Sequence, residues 1–197
     1  MERDYQTRKY IAKQTEGYNR KLTDALTNAF DMMRKVGDHN GCLSTSVALH
    51  VIFRSLGYDP KLCYGLCVTP EGQEIYHAWL ELDGKVIDLA IYGNSRWSPF
   101  WHGRQVNAVV LEDYADTELR YNDHKFDKDW DGCMISMIVN IGSIKEYIKA
   151  APRVPHSSNN GMWYTIFAFL GETYSRSRHE ELDRYVSDER LTGPEGK

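Results

Sequence analysis

The sequence lacks a long apolar segment. Its longest apolar stretches, 134–139 and 162–170, are interrupted by Ser136 and Thr165 and are far shorter than the roughly 20 residues of a membrane-spanning helix. Residues 1–6 are polar and do not resemble a secretion signal. We therefore expect a cytoplasmic protein that is not associated with a membrane.

The sequence also lacks an excess of charge of either sign. Its 197 residues carry a formal net charge of -4, with 26% charged and 42% hydrophobic residues. No basic surface is therefore expected to bind nucleic acid or an anionic membrane. Internal repeats and low-complexity tracts are missing as well. Since domains commonly have about 100 to 200 residues, we expect a single domain over residues 1–197.

Cysteine is scarce, with only four residues in the chain. Without a secretion signal, we expect all four to be reduced. Cys63 and Cys67 lie four residues apart on a predicted strand, and therefore about 13 Å apart, which is too far to share one zinc ion. Adding Cys133 and His124 does not make a convincing ligand set. We interpret Cys63 and Cys67 as apolar packing and expect neither a metal ion nor an organic cofactor.

The fourth cysteine, Cys42, lies at the start of a predicted helix. Apolar residues between 22 and 36 recur at spacings of three and four, which predicts a helix with one buried face that ends at Gly37. Turn and capping residues occupy 38–41, and a second, largely apolar helical pattern extends from Cys42 to Leu56. Unpaired amides and the helix dipole stabilise an anion at such a position, so the Cys42 thiol is expected to ionise readily beside an imidazolium.

A β-hairpin is predicted after this helix. The apolar residues 61–68, followed by a Pro-Glu-Gly turn, indicate a strand. The segments 75–82 and 85–91 then flank an Asp-Gly pair at 83–84, and such a pair between extended segments is a strong hairpin signal. Beyond this hairpin the pattern is less regular. It predicts an aromatic loop at 96–103, a strand at 107–111 and a solvated charged loop at 121–131. A short helix is predicted at 143–150 and a longer one at 161–186.

The hairpin register brings His77 and Asp88 close together. If residues 83 and 84 form the turn, Leu82 lies opposite Lys85 and Trp79 lies opposite Asp88. His77 shares a face with Trp79 because side chains alternate along a strand. Asp88 is then the diagonal neighbour of His77, with about 7 Å or less between their Cβ atoms. A carboxylate can therefore reach one nitrogen of the ring, and the other nitrogen remains available to a thiol.

Thiol, imidazole and carboxylate together form a nucleophile, a base and a group that orients the base. Each residue also has a structural interpretation, because Cys42 can be a small core residue, His77 a satisfied buried side chain and Asp88 the end of a strand. The backbone N–H of Cys42 is the natural first oxyanion donor. For the second donor His39, Asn40 and the Trp79 indole are all chemically able, and spacing favours none of them. An aromatic group after the hairpin fits a substrate cleft and the edge of the core equally well. Its residues are Trp97, Pro99, Phe100, Trp101 and His102.

Three segments, 41–49, 56–58 and 76–88, resemble the transglutaminase-like superfamily of papain-type cysteine enzymes, and most closely its bacterial branch with the lasso-peptide leader proteases. The resemblance covers about 38–92. It implies an α+β fold of the papain type in which the nucleophile helix packs on an antiparallel sheet, with Cys42, His77 and Asp88 at the catalytic positions. The helical patterns add further helices at both ends. The tryptophan that follows the nucleophile in animal transglutaminases is missing, so calcium-dependent crosslinking is not expected.

The function expected from the sequence is that of a cysteine-dependent hydrolase, a peptidase or amidase that works through a thioester at Cys42. Its substrate is expected to be a peptide or protein, or alternatively a small amide. An acyltransferase or transglutaminase-type enzyme would use the same three residues and differ only in how the thioester is discharged. The third hypothesis is a non-catalytic binding module that retains the fold, because a fold does not by itself determine a function.

Overall fold

Three helices form the N-terminal part of the chain. The structure is a computed structural model that describes residues 2–36, 41–97, 101, 103–123, 143–150 and 161–187. The first helices are α1 (Glu2–Gln14), α2 (Arg20–Val36) and α3 (Cys42–Ser55). Helix α2 buries one apolar face, and α3 is central to the fold, since 11 of its 14 residues are buried. The helices predicted at 22–36 and 42–56 are confirmed, whereas α1 was not predicted because its sequence is mostly polar.

Five strands form one antiparallel sheet in the order β4-β3-β2-β1-β5. The strands are β1 (Lys61–Val68), β2 (Glu74–Leu82), β3 (Lys85–Asp88), β4 (Val109–Asp113) and β5 (Arg120–Asp123). Since β2 and β3 are neighbours in both sequence and space, their pairing is determined locally. Strand β5 instead pairs with β1, which precedes it by about fifty residues, at the far edge of the sheet.

The β2–β3 hairpin has the predicted register. Leu82 pairs with Lys85, and Leu80 pairs with Ile87. The turn between them has positive φ at both central residues, 55° at Asp83 and 76° at Gly84, which matches the right-handed twist of the paired strands. Because side chains alternate between the two faces along each strand, His77 and Asp88 lie on the same face of the sheet.

Two predictions for extended or irregular segments were wrong. The strand predicted to extend to Ile91 ends at Asp88, and helix α4 (Ala90–Trp97) follows, because the Asp88 carboxylate caps that helix. Of the charged segment predicted as a solvated loop at 121–131, residues 121–123 instead belong to β5, because pairing with β1 satisfies their backbone, and 124–131 lie outside the described residues. The strand predicted at 107–111 is confirmed as β4, shifted by two residues.

The C-terminal helices are α5 (Ile144–Ala150), α6 (Met162–Leu170) and α7 (Arg176–Asp183). Helix α5 confirms the short helix predicted at 143–150. The single long helix predicted over 161–186 was wrong, because Gly171 ends α6 in the left-handed conformation, with φ 69°. Ser175 then starts α7, where its side chain accepts a hydrogen bond from the Arg178 N–H.

The sheet separates two apolar clusters. One face, with Ala78, Leu80 and Ile87, packs against α3 and the outer helices. The other face carries Cys63, Cys67, Trp79, Val86 and Tyr121, which form the second cluster. This arrangement confirms the predicted α+β class, with the nucleophile helix packed on an antiparallel sheet. None of the described helices is long and apolar enough to cross a membrane.

Candidate active site

The structure brings Cys42, His77 and Asp88 together. Cys42 is the first residue of α3, His77 lies in β2 and Asp88 is the last residue of β3. His77 Nε2 lies 2.8 Å from Asp88 Oδ2, and the Cys42 thiol forms a side-chain hydrogen bond with the same ring. The His77 side chain is completely buried and Asp88 is 2% exposed, so Cys42, at 9%, is the most accessible of the three.

The sheet and α3 position these residues through different contacts. His77 and Asp88 share the sheet face that carries Trp79 and Val86, as the hairpin register requires. Helix α3 packs along the opposite face, where Ser46 Oγ donates a hydrogen bond to the Ala78 carbonyl at 3.3 Å. Cys42 occupies the first turn of this helix, where backbone amides have no intrahelical partner.

The environment of His77 favours its charged form. Burial alone lowers the pKa of His77, but the Asp88 carboxylate and the Cys42 thiol outweigh this effect and raise the pKa to about 10. The contact between Nε2 and Asp88 Oδ2 is close but poorly aligned for a hydrogen bond, so we attribute its effect mainly to charge. An imidazolium in this position is suited to hold a thiolate and to donate a proton to a leaving group.

Two further groups fix the Asp88 carboxylate. Oδ1 accepts a hydrogen bond from the Ile91 N–H at 3.0 Å, in the first turn of α4. Oδ2 accepts one from the Tyr121 hydroxyl at 2.9 Å. Burial, followed by the nearby Asp88 charge, raises the pKa of Tyr121 well above its ordinary value, so this hydroxyl keeps its proton. No local sequence signal identifies Tyr121 as a site residue. It lies next to Asp88 because β5 pairs with β1, and these strands are far apart in the sequence.

Asn94 is another site residue that the sequence did not reveal. It lies in α4, and its Nδ2 atom is 3.3 Å from His77 Nδ1. The predicted extension of strand β3 through Ile91 left no helix at this point. Recognising the capping role of Asp88 would have predicted α4, and helical spacing would then have placed Asn94 near the carboxylate.

Cys67 lies close to the three residues and remains a thiol. It pairs with Tyr121 across β1 and β5 and is completely buried. Burial, and then the charges of Asp88 and Cys42, raise its pKa well above the ordinary value. Cys63 is also buried in the second apolar cluster, so the packing interpretation of Cys63 and Cys67 is confirmed. Cys133 and His124 lie outside the described residues.

The candidate oxyanion donors are only partly described. The Trp79 indole N–H donates to the Tyr114 hydroxyl at 3.2 Å, so it is already engaged within the second cluster. His39 and Asn40 lie outside the described residues. Gly41 at the start of α3 provides no side-chain cap, so within the described part of the chain the first amides of α3 are candidate oxyanion donors.

The aromatic segment at 96–103 is described only in part. Trp101 is buried in the second apolar cluster, which supports the core interpretation for that residue. The Trp97 side chain, Pro99, Phe100 and His102 lie outside the described part. Within the described ranges, no group of three or more histidine, cysteine, aspartate or glutamate side chains is arranged to bind a metal ion.

Comparison with known proteins identifies the family. A family model of the transglutaminase-like superfamily matches residues 3–101, from α1 to just beyond α4. This range contains Cys42, His77 and Asp88 but ends before Tyr121. No curated protein and no solved structure matches the chain. Since the family match covers half of the sequence and agrees with the fold, the chain belongs to the transglutaminase-like superfamily.

Proposed function

We propose that this protein is a cysteine-dependent hydrolase, a peptidase or amidase that acts through a thioester at Cys42. The observation that carries the proposal is a single buried imidazole in contact with both a thiol and a carboxylate. Membership of a superfamily made up largely of cysteine enzymes supports the same chemistry. In this mechanism His77 acts as acid and base, and Asp88 orients the ring and stabilises its charge.

Acylation begins with the Cys42 thiolate. Its sulfur attacks the substrate carbonyl carbon, and the carbonyl π electrons move to the oxygen, near the N–H groups at the start of α3. When the tetrahedral intermediate collapses, the C–N bond breaks and the amine departs with a proton from the His77 imidazolium. The products of this half-reaction are a free amine, a thioester and a neutral imidazole.

Deacylation reverses these roles with water as the nucleophile. Neutral His77 takes a proton from water while the water oxygen attacks the thioester carbonyl. Collapse of the second intermediate breaks the C–S bond and releases the carboxylic acid. The Cys42 thiolate and the His77 imidazolium are then restored, with Asp88 still in contact with the ring.

The proposed substrate is a peptide or a protein, with a small amide as the narrower alternative. Segments 41–49 and 76–88, which carry the resemblance to lasso-peptide leader proteases, favour a role in peptide maturation. Cleavage of a mixture of unmodified peptides at neutral pH, followed by mass spectrometry, tests this assignment. Release of acid and amine fragments would support a peptidase, and turnover of small primary amides alone would indicate an amidase.

Covalent labelling tests the nucleophile. Iodoacetamide is expected to modify Cys42 first, at a rate that depends on pH between about 5 and 8 because a thiolate reacts and a thiol does not. Cys42→Ala should remove both this label and turnover, and Cys63→Ala, which alters a thiol buried elsewhere, should retain both. Labelling of Cys63 or Cys67 as fast as Cys42 would contradict the proposal. A rate that rises through pH 8 without levelling off, as for an ordinary thiol, would indicate a binding module.

Acyl transfer is the second candidate, and the burial of the site favours it. His77 and Asp88 are almost completely shielded, and Cys42 is only 9% exposed, which limits the access of water to a thioester. Addition of a primary amine during turnover separates the two reactions. A hydrolase forms mainly acid under these conditions, whereas a transferase forms mainly the new amide.

A further inference from the structure

Asn94 is buried beside Cys42, His77 and Asp88, the candidate triad, and only one of the two polar atoms of its side-chain amide has a hydrogen-bond partner among the described residues. The residue is 8% exposed, and its Nδ2 atom lies 3.3 Å from His77 Nδ1. Its Oδ1 atom is buried and has no hydrogen-bond partner among the described residues. A buried carbonyl without a partner is uncommon in folded proteins and calls for a physical explanation.

The ring nitrogen that Asn94 contacts is the one that exchanges protons. Asp88 lies at Nε2, so Nδ1 is the nitrogen left to take the thiol proton and to serve the leaving group and water. An amide NH₂ group can donate only to an Nδ1 that carries no proton. An amide carbonyl, in contrast, can accept only from an Nδ1 that carries one.

The resting charge of His77 conflicts with the amide orientation in the structure. Its raised pKa makes the ring an imidazolium near neutral pH, in which both nitrogens are donors. Nδ2 of Asn94 would then face an N–H group, which is a contact between two donors. Rotation of the amide by half a turn removes this conflict and gives Oδ1 the partner that it lacks, with almost no change in shape.

We propose that Asn94 is a positioning residue whose amide reverses with the protonation state of His77. Its carbonyl accepts from Nδ1 in the imidazolium, sharing that N–H with the Cys42 sulfur, and its NH₂ group donates to Nδ1 in the neutral ring. The ring thereby keeps a hydrogen bond in both halves of the reaction. Because a hydrogen bond to a charged group is about twice as strong as a neutral one, Asn94 stabilises the imidazolium more than the neutral form. This role rests on the proposed function of His77.

Titration of the His77 ring by nitrogen NMR tests the proposal. In Asn94→Ala, the midpoint of the titration should fall by roughly one pH unit, because the imidazolium loses its stronger hydrogen bond. Ser95→Ala is the matched control, since Ser95 is the buried neighbour on α4 and bonds to Tyr92 and Val106 instead of the triad. An unchanged or raised midpoint in Asn94→Ala would overturn the proposal.

A second variant keeps the test valid if the alanine variant folds poorly. Asn94→Asp has nearly the same shape and places a carboxylate at Nδ1, so the midpoint should rise. Failure to rise would show that position 94 does not face the ring.

The same titration in a Cys42→Ala background distinguishes this proposal from the proposed function. If the midpoint falls in Asn94→Ala but the wild-type protein shows no turnover, the proposed enzymatic function is rejected and the proposed contact between Asn94 and His77 is kept. Turnover with an unmoved midpoint would reject only the role of Asn94.

Discussion

Asp88 links three parts of the molecule through one carboxylate. One of its oxygens caps α4 through the Ile91 N–H, and the other contacts both His77 and the Tyr121 hydroxyl. The sequence predicted the proximity of Asp88 to His77, because a two-residue turn sets the register of a hairpin. It did not predict Tyr121, since no local pattern states which strand pairs with the other edge of the sheet.

Removal of the Tyr121 hydroxyl should impair turnover without disrupting the fold. In Tyr121→Phe, Asp88 loses a hydrogen bond to a charged acceptor, so kcat/KM should fall about tenfold, which corresponds to ~1.4 kcal/mol. Steady-state kinetics at neutral pH measure this change. Tyr114→Phe is the control, because the Tyr114 hydroxyl bonds to Trp79 and Glu81 and not to the triad. Equal losses in both variants would argue against a specific role for Tyr121.

The elements differ in how much of their structure is set locally. Periodicity and capping predicted α2 and α3, and composition predicted β1 with its observed limits. The sequence did not predict the break between α6 and α7, because both the aromatic first half and the charged second half of 161–186 have helix-favouring residues. Gly171 makes the break through a positive φ, which its lack of a Cβ atom allows.

Gly171→Ala should destabilise the protein more than an equivalent change in the hairpin turn. Alanine in the left-handed region costs about 1 kcal/mol, and its Cβ would lie only 3.1 Å from Asn28 Nδ2, which bonds to the Phe169 carbonyl. Gly84→Ala has a similar φ but meets nothing within 4 Å, so it isolates the strain alone. Urea unfolding should therefore show a loss of about 1–2 kcal/mol for Gly171→Ala and a smaller loss for Gly84→Ala. Equal losses would exclude a steric contribution from Asn28.

In the described part of the chain, several contacts cross the end of the family match. Helix α6, which begins at Met162, well beyond the end of that match at residue 101, packs against α2 and α3. Strand β5 supplies Tyr121 to Asp88 from outside the matched range as well. The later part of the chain therefore contributes both to the core and to the candidate site.

Buried histidines should give this fold opposite pH dependences on either side of neutrality. Burial, and then Arg54, lower the pKa of His50 to about 4, so the native state excludes a proton that the unfolded chain binds below about 6.5. Stability from His50 is thus present above pH 6.5 and is lost as the pH falls toward 4. The raised pKa of His77 has the reverse effect, and its contribution is lost as the pH rises from 6.5 toward 10.

His50→Gln should remove most of the acid-side loss. In the wild-type protein the free energy of unfolding should decrease by about 2–3 kcal/mol between pH 7 and pH 4.5 on account of His50. Urea unfolding at these two values measures the difference, and His179→Gln, at the partly exposed surface of α7, is the matched control. The same decrease in both variants would show that groups other than His50 cause the acid sensitivity.

The sequence by itself determined the elements whose residues interact over short distances along the chain. It placed Cys42 at a helix start and put His77 and Asp88 on one face of a hairpin, because helical periodicity and turn chemistry act within a few residues. Only the tertiary structure decided that the thiol meets the ring, that Tyr121 and Asn94 join the site, and that the site is buried. These outcomes depend on strand pairing and packing between distant segments, and a local pattern does not encode which distant segments meet.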